Sequence, residues 1–180
     1  FNVFNSRGLV TETWIGTNDN GATPTDPSGG GASGNNMVRV TSRVYDGGTA
    51  GGDSNVTSQT QYVDGSTTRV TAFGYDFRSR QTTIDGEIDY YEKKTHDNLN
   101  RVIKVERFNT TSGGNLIAKS ETKYDDRGRV YRTIRYAVDP STGTVGNSLT
   151  DNSWFDASGH LIKQLPAGSS RFTKISYDSL

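Results

Sequence analysis

Two histidines, His96 and His160, are the residues of this 180-residue chain best suited to moving a proton near neutral pH. No Gly-x-Ser-x-Gly nucleophile elbow accompanies them. Asp85, Glu87 and Asp89 alternate around Gly86 and place carboxylates along one strand edge, the raw material of paired-carboxylate hydrolysis. Asp19, Asp26, Asp46 and Asp53 lie in Gly-rich stretches and carry the oxygen ligands that calcium takes, although no Asp-x-Asp-x-Asp-Gly loop is present. Cysteine is absent, which excludes disulfides, thiol catalysis and cysteine-based metal sites. Asn55-Val56-Thr57 and Asn109-Thr110-Thr111 fit the acceptor pattern for N-linked sugar, and Thr110, Thr111 and Ser112 could carry O-linked sugar. Tyr90, Tyr91 and Trp154 could stack on sugar rings. Each of these groups also has a plainer use in a turn, a solvated face or an aromatic ladder. The reading therefore assigns no catalytic residue, no metal and no cofactor.

The elements that would position these groups follow a repeated pattern. An aromatic, an Asp, two further residues, Gly or Asn, a polar residue, then Val or Leu recurs between strand-like stretches. Tyr124-Asp125-Asp126-Arg127-Gly128-Arg129-Val130 is the clearest copy. Phe4-Asn5-Ser6-Arg7-Gly8-Leu9-Val10, His96-Asp97-Asn98-Leu99-Asn100-Arg101-Val102 and Phe155-Asp156-Ala157-Ser158-Gly159-His160-Leu161 are weaker ones. Tyr75-Asp76 starts a copy that loses the Gly, and Tyr177-Asp178 begins another. A fixed order at a spacing of roughly 20 to 30 residues is the signature of a repeat architecture. The Asp can accept hydrogen bonds from amides two residues on, and the Gly or Asn can take the positive φ of a tight turn. On this reading His96 stands where the aromatic belongs, and His160 where the polar residue belongs.

Strict alternation marks Met37 to Tyr45 as a strand. Val56–Tyr62 and Thr68–Tyr75 read as a hairpin closed at Asp64-Gly65. Further strands are expected over residues 9–16, 88–95, 101–108, 116–124, 129–136, 149–155, 161–165 and 171–177. Residues 17–36 and 46–55 are rich in Gly, Ser, Asn and Asp and read as long flexible loops. The expected fold is all-β, with about twelve strands in repetitive antiparallel hairpins and no helix of useful length. Only 31% of residues are hydrophobic, and the mean hydropathy is -0.71. That supplies a thin sheet better than a compact core. The formal net charge is zero, so no global field favours nucleic acid or an anionic membrane. No run of 18 apolar residues is present, so membrane insertion is not expected.

These motifs resemble the YD-repeat, or Rhs-repeat, family, and the richer copies resemble very large surface proteins of planctomycete-type bacteria. The resemblance implies hairpins joined side by side into a long twisting strip, or solenoid. It gives Tyr75, Asp76, His96, Asp97, Tyr124, Asp125, Gly128, Phe155, Asp156, Gly159, Tyr177 and Asp178 structural roles. It also implies a secreted or cell-surface protein acting as a fibre, stalk or scaffold. A carbohydrate-binding β module is the first alternative and a shell segment of an Rhs-type toxin the second. Tyr75, Tyr124, Phe155 and Tyr177 are expected in equivalent, largely buried places. The 180 residues are expected to be one run of repeats from a longer chain or polymer, pairing end to end with copies of itself or with adjacent repeats. Phe1, Val3, Phe4 and Leu180 would be buried at such a junction. Polysaccharide is a further possible partner, and nucleic acid is not expected.

Overall fold

In the computed structural model, residues 1–47, 52–110 and 113–178 are described, and they form two compact units, Phe1–Ile88 and Asp89–Leu180. The fold is all-β. The first unit holds β1 (Asn2–Phe4), β2 (Val10–Ile15), β3 (Val38–Tyr45), β4 (Val56–Tyr62), β5 (Thr68–Tyr75) and β6 (Gln81–Gly86). The second holds β7 (Tyr90–His96), β8 (Val102–Phe108), β9 (Leu116–Tyr124), β10 (Val130–Val138), β11 (Val145–Phe155), β12 (Leu161–Leu165) and β13 (Thr173–Lys174). Within each unit every strand pairs antiparallel with its neighbours in sequence, so each is a plain meander.

Thirteen strands are present among the described residues, where the sequence suggests about twelve. The short β1 and the polar β6 (Gln-Thr-Thr-Ile-Asp-Gly) lack a marked apolar alternation. The last strand shrinks from the expected 171–177 to two residues, while β11 begins at Val145, four residues early.

Among the described residues strands meet side by side, and no second layer packs across a sheet face within either unit. This is why burial is shallow. Val3, at 8% exposure, is the one buried hydrophobic residue in the described chain, and Glu92, at 6%, the one buried charge. Tyr75, Tyr124 and Phe155 are half-buried and Tyr177 is 51% exposed, which corrects the expectation of largely buried rings. A single-layer sheet can cover a ring from the side but has nothing to lay over it. Of the residues expected to be buried at a junction, Val3 is buried in its own unit, Phe1 and Phe4 are exposed, and Leu180 lies outside the described residues.

The 17–36 segment builds a hydrogen-bonded structure of its own. The Asn36 side-chain oxygen accepts the amides of Thr17 and Asn18 at 2.9 and 2.8 Å. Asn35 Nδ2 donates to the carbonyls of Asn20 and Pro27, and Pro27 is fully buried. The Asp26 carboxylate accepts from Ser28 and Gly30, ahead of a single 3₁₀ turn at Gly29–Gly31.

Candidate functional site

The repeated feature is a turn with three parts. In the best copy, Asp125 Oδ1 accepts the amides of Arg127 and Arg129 at 3.0 and 2.9 Å. The Gly128 amide donates to the Asp125 carbonyl, and Gly128 takes φ 81°, a region that a side chain disfavours. The Asp125 amide donates to the Arg129 carbonyl and closes the loop. Finally Arg129 reaches back, and its Nε donates to Asp125 Oδ2 at 2.7 Å. Carboxylate, two amides and guanidinium thus form one clasp.

The same clasp recurs. Asp97 accepts the amides of Leu99 and Arg101 and the Nε of Arg101, the last at 2.7 Å. Asp76 does the same with Arg78 and Arg80. At Asp156 the residue four on is His160, whose Nδ1 lies 3.1 Å from Oδ2. At Asn5 the side-chain oxygen takes the amides of Arg7 and Leu9, and no cation follows. The fourth residue of each turn has positive φ: Gly8, Ser79, Asn100, Gly128 and Gly159. Ser79 therefore fills the place where the Tyr75-Asp76 copy lacks its Gly.

A further copy escapes the sequence pattern. The Asp46 amide donates to the Asn55 carbonyl, the Asn55 amide to Asp46 Oδ1, and Asn55 Nδ2 to Asp46 Oδ2 at 3.0 Å. Tyr45-Asp46 and Asn55-Val56 are therefore the two ends of an expanded turn, with Asn55 in the place of the Arg. Asn55, a sequence candidate for glycan attachment, also donates from Nδ2 to Ser79 Oγ. The other candidate, Asn109, accepts the Asn115 amide on its side-chain oxygen. The signal that could have revealed this copy is the Tyr-Asp step at 45–46; the inserted residues hid the rest.

A β-bulge sits beside every one of these turns. Lys123 pairs with Arg132 but Tyr124 pairs with Val130, so Tyr131 is the extra residue. Equivalent shifts place Phe4 opposite Val10, Tyr45 opposite Val56, Tyr75 opposite Gln81, His96 opposite Val102 and Phe155 opposite Leu161. Thr11 and Thr57, extra residues of two bulges, give their hydroxyls to the carbonyls of Val3 and Val44.

Aromatic and cation join one turn to the next. The Tyr124 hydroxyl donates to the Val102 carbonyl at 3.2 Å, in the strand that leaves the preceding turn. Tyr45 does this to Val10, Tyr75 to Val56 and Tyr177 to Leu161. Arg101 Cζ lies 4.5 Å from the Tyr124 ring centroid, and Arg129 Cζ lies 4.6 Å from that of Phe155. Arg129 Nη1 also donates to the Asp156 carbonyl. The His160 ring stands 4.7 Å from Tyr177, in the place a guanidinium holds elsewhere. In the first unit Arg7 reaches Gly52 and Ser54, and Ser79 donates to Asp53.

The hydrogen bonds set the electrostatics. The Arg80 side chain, with the Arg78 and Arg80 amides, outweighs desolvation and holds the Asp76 carboxyl down to about 2. The Arg129 amide leads the groups that hold Asp125 below the usual carboxylate range, and the His160 amide leads at Asp156. At Asp97 desolvation pushes upward, but the amide and side chain of Arg101 and the Leu99 amide together win, so the pKa is lowered.

The chemistry-bearing residues singled out in the sequence are scattered. His96 occupies the aromatic position of its turn, with a buried Nδ1 that meets no hydrogen-bond partner among the described residues. Asp85 and Glu87 fall in the first unit and Asp89 in the second, and the Glu87 carboxylate accepts the Val70 amide. Asp26, Asp46 and Asp53 spend carboxylate oxygens on Ser28, Asn55 and Ser79. Among the described residues no cluster of three or more His, Asp or Glu could hold a metal ion. Tyr91 packs against Phe108 with centroids 5.6 Å apart, the Tyr90 hydroxyl donates to Glu92, and Lys163 Nζ covers Trp154 at 4.4 Å. No helix among the described residues is long and apolar enough to cross a membrane.

No family model matches the sequence, and no curated protein matches it. Solved structures do match the fold. The crystal structure of TcdB2-TccC3-TEV superposes with a TM-score of 0.60 at 12% identity, over 91% of this chain and 7% of that one. The crystal structure of TcdB2-TccC3-Cdc42 gives 0.51 at 12%, over 96% of this chain and 9% of that one. A Photorhabdus luminescens Tc holotoxin pore with a substituted TccC3 gives 0.50 at 14%, again over 96% and 9%. The chain spans less than a tenth of the length of these proteins, and the likeness is one of fold.

Proposed function

We propose that this chain is a run of YD-type repeats whose work is structural: a strip segment in the body of a secreted or cell-surface bacterial protein of the Rhs kind. The observation that carries this reading is the clasp, in which the cation of one turn lies on the aromatic of the next. A cation used twice in this way fixes the spacing of successive hairpins. It leaves the Asp, Arg and aromatic side chains engaged with one another rather than free for a substrate. Our primary reading is a fibre, stalk or scaffold, extended by copies of the chain or by adjacent repeats.

A second reading, a wall segment of an Rhs-type toxin shell, draws support from one observation. The Tc toxin structures superpose on 91–96% of this chain, so the meander has the same course as a part of those proteins. Carbohydrate binding by Tyr90, Tyr91 and Trp154 would need free ring faces, and each of these rings already has a partner within the chain.

Electron microscopy of the native material separates the readings. Linear assemblies support the fibre or stalk, and hollow closed particles support the shell. A free monomer with no further repeats attached would overturn both.

A further inference from the structure

Two like-charge pairs stand in register on one face of the second unit. Lys123 lies directly opposite Arg132 across β9 and β10, and Lys163 directly opposite Lys174 across β12 and β13. Arg132 pairs onward with Asn152 and Lys163 with Trp154, two residues apart on β11, so all four cations share that face. Like charges directly opposite one another destabilise a sheet. The other carboxylates of this face do not relieve them: Glu106 and Glu121 are taken by Lys104 and Lys119 at 3.0 and 3.2 Å. Among the described residues none of the four forms an ion pair. All seven lysines of the chain lie in this second unit. A local rule broken twice at one place, with no carboxylate inside the chain to neutralise the charge, is the mark of a site with an external partner.

We propose that this face docks an extended, acidic polypeptide segment. Three of the four cations are lysines, hydrated point charges suited to single carboxylates rather than to the forked recognition of phosphate. Arg132 already commits its Nε to Asn152 at 2.9 Å. Lys163 Nζ stands 4.4 Å from both the Trp154 and the Phe172 ring centroids, so on that side of each ring a cation already holds the place where a base or a sugar ring would stack. From β9 to β13 there are four strand intervals of about 4.8 Å, or roughly 19 Å, which an extended peptide covers with about six residues. The complementary charge is three or four Asp or Glu side chains within that length.

The test is fluorescence anisotropy of a labelled Glu-rich octapeptide titrated with the whole 180-residue chain at low salt. Its Gln counterpart, heparin and a single-stranded oligonucleotide serve as comparisons. The proposal expects the Glu peptide to bind, the Gln peptide not to bind, and salt to weaken the complex. Lys123→Gln with Lys163→Gln should weaken binding about tenfold, as expected for the loss of two exposed ionic contacts. Lys123→Gln alone, which disturbs neither ring contact, should melt at a higher temperature than the parent, because it removes the like-charge opposition to Arg132, and this reads the patch without any ligand. Absence of Glu-peptide binding, equal binding by the double variant, or tighter binding of heparin or oligonucleotide would overturn the proposal.

Discussion

Arg129 holds Asp125 with its Nε at 2.7 Å while its Cζ lies 4.6 Å from the centre of the Phe155 ring. One side chain therefore closes its own turn and seats the next. Arg101 does the same between Asp97 and Tyr124. A sheet with no second layer lacks the area burial that usually holds strands in register. Here that task falls to the turns, where charge, hydrogen bond and ring meet along one end of the hairpins.

The fourth position of the turn has a steric requirement. Gly128 takes φ 81°, and Gly128→Ala should cost about 1–2 kcal/mol, the usual penalty for a β-carbon in the left-handed region. Gly146 lies in β11, has no positive φ, and offers a β-carbon ordinary contacts at 3.7 Å or more. Gly146→Ala should be neutral or stabilise by up to about 1 kcal/mol, through the unfolded chain. Urea denaturation of the two variants checks the contrast, and equal effects would contradict it.

The tyrosine hydroxyl forms a separable link. Tyr124→Phe removes the bond to the Val102 carbonyl and should cost about 0.5–1.5 kcal/mol, with the ring and its Arg101 contact retained. Phe155 already occupies the equivalent place, so the fold tolerates the change. Equilibrium unfolding measures it, and no loss of stability would show that the hydroxyl bond contributes nothing.

Acid should reach the clasps late. The Asp76 carboxyl is lowered from 3.8 to about 2, chiefly by the Arg80 side chain, and Asp64 to about 2, chiefly by the amides of Ser66 and Thr67. Because the folded-state values are depressed, their contribution to stability is fully present above the unfolded value near 3.8. It is lost as pH falls through about 2. A carboxyl-carbon NMR titration should place both midpoints near 2, and Arg80→Gln should raise that of Asp76 and leave Asp64 unchanged. A midpoint for Asp76 near 3.8 in the parent chain would contradict the clasp.

The expanded turn should be dispensable in its middle. Replacing residues 47–54 by Asp-Arg-Gly, the sequence that separates Asp125 from Arg129, keeps Asp46 and Asn55 as the closing residues. Shortening the insert from eight residues to three returns only about 0.9 kcal/mol of closure entropy, and the contacts of Gly52, Asp53 and Ser54 are lost with it, so net stability should change little. Hydrogen exchange across β3 and β4 reads the result. Loss of protection there would show that Asp46 and Asn55 do not close the turn by themselves.

Much of this was legible in the residues, and the gaps have physical causes. The aromatic-Asp step located the turns at Asn5, Asp76, Asp97, Asp125 and Asp156, because a turn is a local object set by local residue types. The copy at Asp46 was hidden because Asn55 closes it after an insertion, and no fixed spacing survives that. The back-reach of Arg80, Arg101 and Arg129 was missed: a cation at the head of a strand looks like a solvated residue until the turn folds it onto its own Asp. Strand β6 was missed because it is held by backbone pairing along β5 and needs no apolar alternation to keep its place. The shallow burial of Tyr124 and Phe155 follows from layer count, which periodicity along one strand does not report.

Consecutive turns are coupled, and a double-mutant cycle on Arg129 and Phe155 measures that coupling most directly. Arg129→Gln, Phe155→Leu and the double variant are compared by chemical denaturation. The two losses are expected not to add, with an interaction energy of about 0.5–1 kcal/mol, as for a cation on a partly exposed ring. Additivity within about 0.3 kcal/mol would mean that the two residues stabilise their own turns independently, and would contradict the clasp as the link between repeats.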